Sequence, residues 1–447
     1  MTQPKSNRRK FLKSAAFAGT APLILPAQVW AAPPSERKTM GFIGMGKQSG
    51  GLLNGFINSE NVQVLAVCDV DTTRREAAAE KVRKYYTDRP EKGSASDLQA
   101  YNEFEKITGR DDIDAVCIAT PDHWHAVITL AALGSDQDVY CEKPLTHNIH
   151  EAIEVMKEVD ARGRVLQTGS MQRSMKEFRV ACELVQNGHI GKVERVEVSF
   201  GDPGVVCDLP EEAAEPGLDW DRWLGPAQKR PFNSVLSPRG VHGHFPNWRA
   251  YKEFGGGMVT DWGAHHLDIT QWGLGTDLSG PIEARPPEKK DAKRGASLVY
   301  ENGAVVTHAD GTAGVRFHGT EGIVEVGRGR IAFSSGGETV AQFMSKEDGS
   351  INKAVHVLET EVLGDDRKVR LYESPNHLKD FLACMESRQK PITHEGIGAG
   401  SAICCHLMNL AYWNHQKIQW DPAANAFAGS TGDPAWLTRD YRSPWTV

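Results

Sequence analysis

Asp261 and His265 stand four residues apart in the run Asp261-Trp262-Gly263-Ala264-His265-His266-Leu267-Asp268, a spacing that puts both on one face of a helix. An imidazole that titrates near neutrality can take a hydroxyl proton while a hydride leaves the same carbon. A carboxylate beside it can orient the ring and stabilise its charged form. Taken alone, the pair reads equally as a helical ion pair, and His266 and Asp268 lie elsewhere around the helix. Glu142-Lys143-Pro144 follows the apolar run that ends at Cys141. A lysine at a strand end can donate to a substrate oxygen, and the proline fixes the backbone there; without further context it is an exposed loop lysine.

A departing hydride needs an acceptor, and Gly41-Phe42-Ile43-Gly44-Met45-Gly46 provides a place to hold one. Gly44 permits a tight turn, and Gly46 lets the backbone approach a pyrophosphate at the N-terminus of the next helix. Ser49 occupies the third position of the Gly-x-Gly-x-x-Gly pattern, with Gly50 and Gly51 after it. Asp69 lies twenty-three residues beyond Gly46 at the end of the next apolar run, where a carboxylate accepts from ribose hydroxyls and repels a 2'-phosphate. NAD is favoured over NADP on that ground, while Arg74 and Arg75 keep NADP possible. Ala119-Thr120-Pro121-Asp122-His123-Trp124-His125 ends another apolar run and should face the ligand crevice at the C-terminal edge of a parallel sheet. His123-x-His125 can be read as a metal pair or, more plainly, as exposed or capping histidines. No metal site is expected, since no Cys-x-x-Cys occurs.

These residues require a scaffold, and the hydropathy pattern supplies one. Strands are expected at 40–43, 62–68, 114–119, 138–141 and 165–168, with helices at about 50–58, 72–86, 124–133 and 148–162. Strands without polar alternation, separated by helices, predict a doubly wound parallel α/β sheet over 38–168. Beyond Gly169 come a helix at 176–187, an alternating strand at 193–200, the Gly255-Gly256-Gly257 turn, and a helix from Asp261 to Trp272. Further strands at 296–300, 304–308, 314–318 and 323–326 precede helices at 377–387 and 399–415, which predicts an α+β domain on a mostly antiparallel sheet over 169–447. The charged run 285–291 reads as a solvated loop.

The chain has 447 residues, 40% of them hydrophobic, enough for two or three domains with sizeable cores. With 51 Lys+Arg against 58 Asp+Glu there is no excess positive charge to hold a nucleic-acid backbone. Cys68, Cys117 and Cys141 fall in apolar strands, so the eight cysteines do not suggest a disulfide framework. Residues 1–31 read as an export signal: Arg8-Arg9-Lys10 is a twin-arginine motif, an apolar stretch follows, and small residues surround Ala31. That stretch is too short to span a bilayer. A periplasmic location, or export by the same route elsewhere, is therefore expected.

Gly44-x-Gly46, Thr120-Pro121 with His125, Glu142-Lys143-Pro144 and Gly255-Gly256-Gly257...Asp261-x-x-x-His265, in this order, resemble the Gfo/Idh/MocA family of oxidoreductases from about Lys38 to the C-terminus. The resemblance implies a Rossmann domain, a second domain with a large open sheet that often forms a homo-oligomer interface, and a bound nicotinamide cofactor. It implies catalytic roles for Lys143, Asp261 and His265, and a cofactor site bordered by Gly44, Met45, Gly46, Ser49, Asp69, Thr120, Pro121, His125, Glu142 and Lys143. The expected activity is hydride transfer between NAD or NADP and a hydroxyl of a sugar, cyclitol or glycoside. Trp220, Trp223, Trp248 and Trp262 could offer faces to the sugar ring. Because free NAD is scarce outside the cytoplasm, the cofactor should be held tightly. Two other readings stand beside this one: glycoside hydrolysis through transient oxidation by bound NAD, and a metal-dependent or non-catalytic sugar-binding protein using His242-x-His244 with His265 and His266. Replacing Arg8-Arg9 by Lys-Lys is expected to leave the protein in the cytoplasm, because the transporter reads the paired guanidinium groups; cell fractionation that still finds it in the periplasm contradicts the signal.

Overall fold

The computed structural model describes residues 37–311 and 314–447; the export signal expected over 1–31 lies outside the described residues. Six strands form the first sheet: β1 (Lys38–Ile43), β2 (Val62–Cys68), β3 (Gln99–Tyr101), β4 (Ala115–Ile118), β5 (Asp138–Cys141) and β6 (Leu166–Thr168). All pair in parallel in the order β3-β2-β1-β4-β5-β6. Helices α1 (Lys47–Ile57), α2 (Thr72–Asp88), α3 (His125–Gly134) and α4 (Ile149–Arg162) connect them. β4 and β5 are buried at every position, as strands covered on both faces must be. The strand order reverses between β1 and β4, and the crevice at that switch point opens beyond their C-terminal ends. β3 was not anticipated, because its three residues are exposed or half-buried and carry no apolar run.

The second sheet has ten strands: β7 (Val193–Ser199), β8 (Glu283–Arg285), β9 (Ser297–Val299), β10 (Val305–Ala309), β11 (Gly314–Gly319), β12 (Gly322–Gly327), β13 (Arg330–Ser335), β14 (Glu338–Phe343), β15 (Ile418–Asp421) and β16 (Ala426–Phe427). Their order is β14-β13-β12-β11-β7-β10-β9-β8-β15-β16. Only β7 and β10 pair in parallel, so the sheet is mostly antiparallel, and it is open at both ends. α5 (Lys176–Gln186) packs on β12, and the helical segment that follows the triple glycine packs on β7.

The single helix expected over 261–272 is two pieces, α6 (Met258–Asp261) and α7 (Gly263–Leu274). The cause is a competition for one carbonyl. Lys143 Nζ donates to the Asp261 carbonyl oxygen at 2.8 Å, while the His265 N–H turns to Trp262 O at 3.0 Å. The helical ladder is broken where the lysine enters. Upstream, the triple glycine brings two backbones together: Gly257 has φ +70°, and a Cβ there would lie 2.3 Å from Gly204 N.

The two halves of the chain share their cores. α8 (His377–Ser387) packs Phe381 against Phe56 and Tyr140 of the first sheet's core, at 6.1 and 5.9 Å between ring centroids. α9 (Glu395–Asn414) is buried over most of its length and lies against both α4 and α7. The C-terminal segment then returns to the first domain. Arg439 donates to His123 O and to the fully buried Glu151 at 2.6 and 2.9 Å, and the Tyr441 hydroxyl donates to the same carboxylate at 2.9 Å. Among the described residues no helix is long and apolar enough to cross a membrane.

Candidate active site

The crevice at the switch point is a cavity of about 460 Å³ that runs from the Gly-rich loop to α6 and α7, within the usual size range of a small-molecule site. At its first end Gly44 must be glycine: φ is +85°, and a Cβ would stand 2.7 Å from Thr120 N. Gly46 precedes α1 with no side chain capping that helix, and a Cβ there would meet nothing within 4 Å. The first-turn amides of α1 thus border open space, as a pyrophosphate at a helix N-terminus requires. Ser49 is buried one turn into α1 with its Oγ 3.5 Å from Met45 Sδ; it packs the helix and does not border the cavity.

Asp69 borders the cavity, but it first organises its own loops. Its Oδ2 accepts from Met45 N at 2.7 Å and its Oδ1 from Asp71 N at 2.8 Å. Burial pushes its pKa up, against the pull of Arg74 and those two amides. The arginines that could have served a 2'-phosphate already have protein partners, although Arg74 itself borders the cavity. Arg74 binds the Ser237 hydroxyl and the Pro238 and Gly240 carbonyls, and Arg75 donates to Asp69 O and Asn102 Oδ1. The residues therefore fit NAD better than NADP.

The Thr120-Pro121 loop and Glu142-Lys143-Pro144 form the floor. Thr120 Oγ1 is buried without a protein partner. Burial lowers the His125 pKa to about 4, so the ring is neutral and has one N–H to donate, either to Pro144 O at 2.7 Å from Nδ1 or to Thr120 O at 3.0 Å from Nε2. The ring lies between the two loops and is bonded to one of them. Glu142 accepts from Gln48 Nε2 at 2.9 Å, which couples the floor to α1.

Lys143, Asp261 and His265 all border the cavity, yet Asp261 serves the lysine and not the histidine. Lys143 Nζ lies 2.5 Å from Asp261 Oδ1, and Arg249 Nε approaches the same oxygen at 3.6 Å. Burial works to raise the Asp261 pKa, but Lys143 and Arg249 outweigh it and hold the carboxyl below its ordinary value. The reading that Asp261 orients and charges His265 is thereby corrected: the helix breaks between them, and the lysine takes both the carbonyl and the carboxylate. His265 meets Arg328 instead, whose Nη2 donates to His265 Nε2 at 2.9 Å. Burial first, then Lys143 and Arg328, push the His265 pKa well below the usual imidazole value. The ring is neutral, with its proton on Nδ1, which has no partner.

Arg249, Arg328 and Asp122 were missed. Asp122 is 4% exposed and borders the cavity, and burial pushes its carboxyl well above the ordinary range. Arg249 lies in a single 3-10 turn, Asn247–Ala250, before the triple glycine and Arg328 at the β12–β13 turn, where the sequence carries no periodicity to mark them. Of the four tryptophans expected to face a sugar, Trp223, Trp248 and Trp262 border the cavity, as does Trp124, while Trp220 stacks on Trp223 at 4.7 Å. Arg249 covers one face of Trp248 and Arg328 one face of Trp262. The His242 and His244 rings lie against each other at 4.6 Å with a 38° tilt, and His266 is bonded to Ser199 O. Among the described residues no group of three His, Cys, Asp or Glu side chains could hold a metal ion.

Residues 38–170 match the model of an "Oxidoreductase family, NAD-binding Rossmann fold", and residues 203–447 that of an "Oxidoreductase family, C-terminal alpha/beta domain". An "Alpha-N-acetylgalactosaminidase" of Shewanella oneidensis is 26% identical over 38% of this chain and 36% of its own length. The chain spans less than half the length of the curated relatives it matches. The WlbA dehydrogenase of Chromobacterium violaceum, solved with NADH and UDP-GlcNAcA, shares the fold with TM-score 0.58 and 15% identity over 87% of this chain and 97% of that one. The aldose-aldose oxidoreductase of Caulobacter crescentus, solved with glycerol, does so with TM-score 0.56 and 16% identity over 86% and 99%.

The histidine's environment gives a test that needs no substrate. A cation beside an imidazole disfavours its protonated form, so removing that cation raises the pKa. Arg328→Gln is expected to move the His265 titration upward, toward the ordinary value near 6.5, as read by NMR of the ring resonances. An unchanged titration contradicts the Arg328–His265 contact.

Proposed function

This chain belongs to the Gfo/Idh/MocA oxidoreductase family, and from that premise we propose that it oxidises a hydroxyl of a sugar, cyclitol or glycoside with NAD as hydride acceptor. The observation that carries this reading is the single cavity shared by the Gly-rich loop and the Lys143, Asp261 and His265 cluster. When bound there, the nicotinamide supplies the hydride-accepting carbon. The first-turn amides of α1 would hold the pyrophosphate, Asp69 would face the ribose, and the Thr120-Pro121 loop and Glu142 would border the nicotinamide half.

Lys143 donates to the reacting oxygen and holds it. Asp261 keeps the ammonium in place and offsets its charge, with Arg249 as a second cation on the same carboxylate. His265, neutral through burial and its cationic neighbours, accepts a proton at Nε2 once that nitrogen is free of Arg328. As the substrate O–H proton passes to the imidazole, the carbinol C–H pair leaves as hydride and a carbonyl remains. The enzyme is exported with its cofactor already held, which suits a route that carries folded proteins. It assembles as a homo-oligomer through the open sheet.

The name of the Shewanella oneidensis relative favours a second reading. The same oxidation can begin a glycoside cleavage in which the hydride is finally returned, so sugar is released and the cofactor ends unchanged. Free sugar from an aryl glycoside without net reduction of NAD selects this reading, and stoichiometric reduction selects the first.

Mass spectrometry of the co-purifying nucleotide should find NAD, and a sugar panel read at the nicotinamide absorbance should find the substrate. His265→Ala is expected to lower turnover by roughly 10²–10⁴-fold, the range for a general base, with NAD still bound. Lys143→Ala should lower it as well. Near-wild-type turnover of His265→Ala, folded and loaded with NAD, removes the proposed base.

A further inference from the structure

The cations around the cavity's reactive end are unevenly matched. Lys143 and Arg249 share Asp261, but among the described residues no carboxylate lies within ion-pair distance of Arg328. This arginine is nonetheless held in place. It sits at the turn between β12 and β13, whose next residue, Gly329, donates its N–H to Glu177 Oε1 of α5 at 3.1 Å. Its guanidinium lies 4.7 Å from the centroid of Trp262 and borders the cavity. One of its five donors goes to His265 Nε2. A planar guanidinium held at a cavity wall without its own anion is the arrangement that binds a carboxylate through two parallel hydrogen bonds.

That single bond also has a consequence for the base. Arginine only donates, so His265 Nε2 is the acceptor and its lone pair is occupied. The ring cannot take a substrate proton at Nε2 while Arg328 holds it. A group that draws the guanidinium away would free the lone pair.

We propose that Arg328 selects substrates that carry a carboxylate, namely uronic acids or their glycosides, and that its engagement with the carboxylate releases His265 Nε2 to receive the hydroxyl proton. This rests on the reading of the cavity as a sugar-oxidising site and names the substrate class of that site. The substrate O–H proton forms the new N–H bond at Nε2, Nδ1 keeps its own proton, and the carbinol C–H electron pair leaves as hydride to NAD. The carboxylate offsets the imidazolium so formed, which otherwise would add a positive charge beside Lys143, Arg249 and Arg328. Neutral sugars leave Arg328 on the histidine.

The test is equilibrium binding to the full-length, NAD-loaded protein of paired probes: methyl glucuronide against methyl glucoside, and methyl galacturonide against methyl galactoside. The uronide of at least one pair is expected to bind tighter by roughly 10- to 100-fold, the range of a charge-assisted hydrogen bond. Arg328→Gln should abolish that preference, and Arg328→Lys should retain part of it. No preference in either pair, including no binding of any probe, overturns the proposal even if a neutral sugar is oxidised. A preference that survives in Arg328→Gln overturns it too, as does a methyl hexoside 6-phosphate that binds tighter than the uronide. If the uronide is preferred through Arg328 but is neither oxidised nor cleaved, this inference stands and the oxidoreductase reading falls.

Discussion

The capture of Asp261 by Lys143 is the constraint on which the site depends. The lysine comes from the end of β5 in the first domain and the aspartate from α6 in the second, so their contact joins the two domains at the cavity. Both acceptors of Asp261, its carboxylate and its main-chain carbonyl, are used by one ammonium. Because the carbonyl is withdrawn from the helical ladder, α6 ends there and α7 starts on a new set of hydrogen bonds. His265 is thereby placed one turn beyond the break, at the cavity wall, with no carboxylate of its own. Removing Asp261 leaves the Lys143 ammonium without its carboxylate, whereas removing Lys143 leaves Asp261 with Arg249 alone.

The electrostatics follow from that allocation. A buried imidazole beside a carboxylate would be raised toward protonation at neutral pH; a buried imidazole beside Lys143 and Arg328 is lowered and stays neutral. Those cations keep the ring neutral, and one of them, Arg328, occupies its Nε2 lone pair. The same cations suit an oxygen that becomes more negative as its proton leaves. Burial pushes the Asp122 and Glu142 carboxyls up, toward their neutral forms, so neither supplies a full counter-charge to the cluster.

Much of this was legible in the sequence where periodicity is strong. β2 and β5 fall on the expected residues, and α8 does too, because apolar runs with clear ends leave few alternatives. The Gly-rich loop and Lys143 were found because a strand end fixes where they must lie. Local spacing failed at Asp261 and His265: a four-residue interval predicts a shared helical face only if the helix continues, and a lysine 118 positions earlier in the chain interrupts it. Arg249 and Arg328 sit in a short 3-10 turn and a hairpin turn, where neither period nor spacing points inward. The packing of Phe381 into the first core was also hidden, since an amphipathic helix does not declare which sheet it covers.

A double-mutant cycle on kcat/KM tests the central claim most directly, using Lys143→Met, Asp261→Asn and the double variant with the best oxidisable sugar. If Asp261 acts through Lys143, the double variant should lose little more than the worse single variant, a coupling well above the ~0.5 kcal/mol scatter of independent sites. Losses that simply add within that scatter would show the two residues acting separately and would contradict the account.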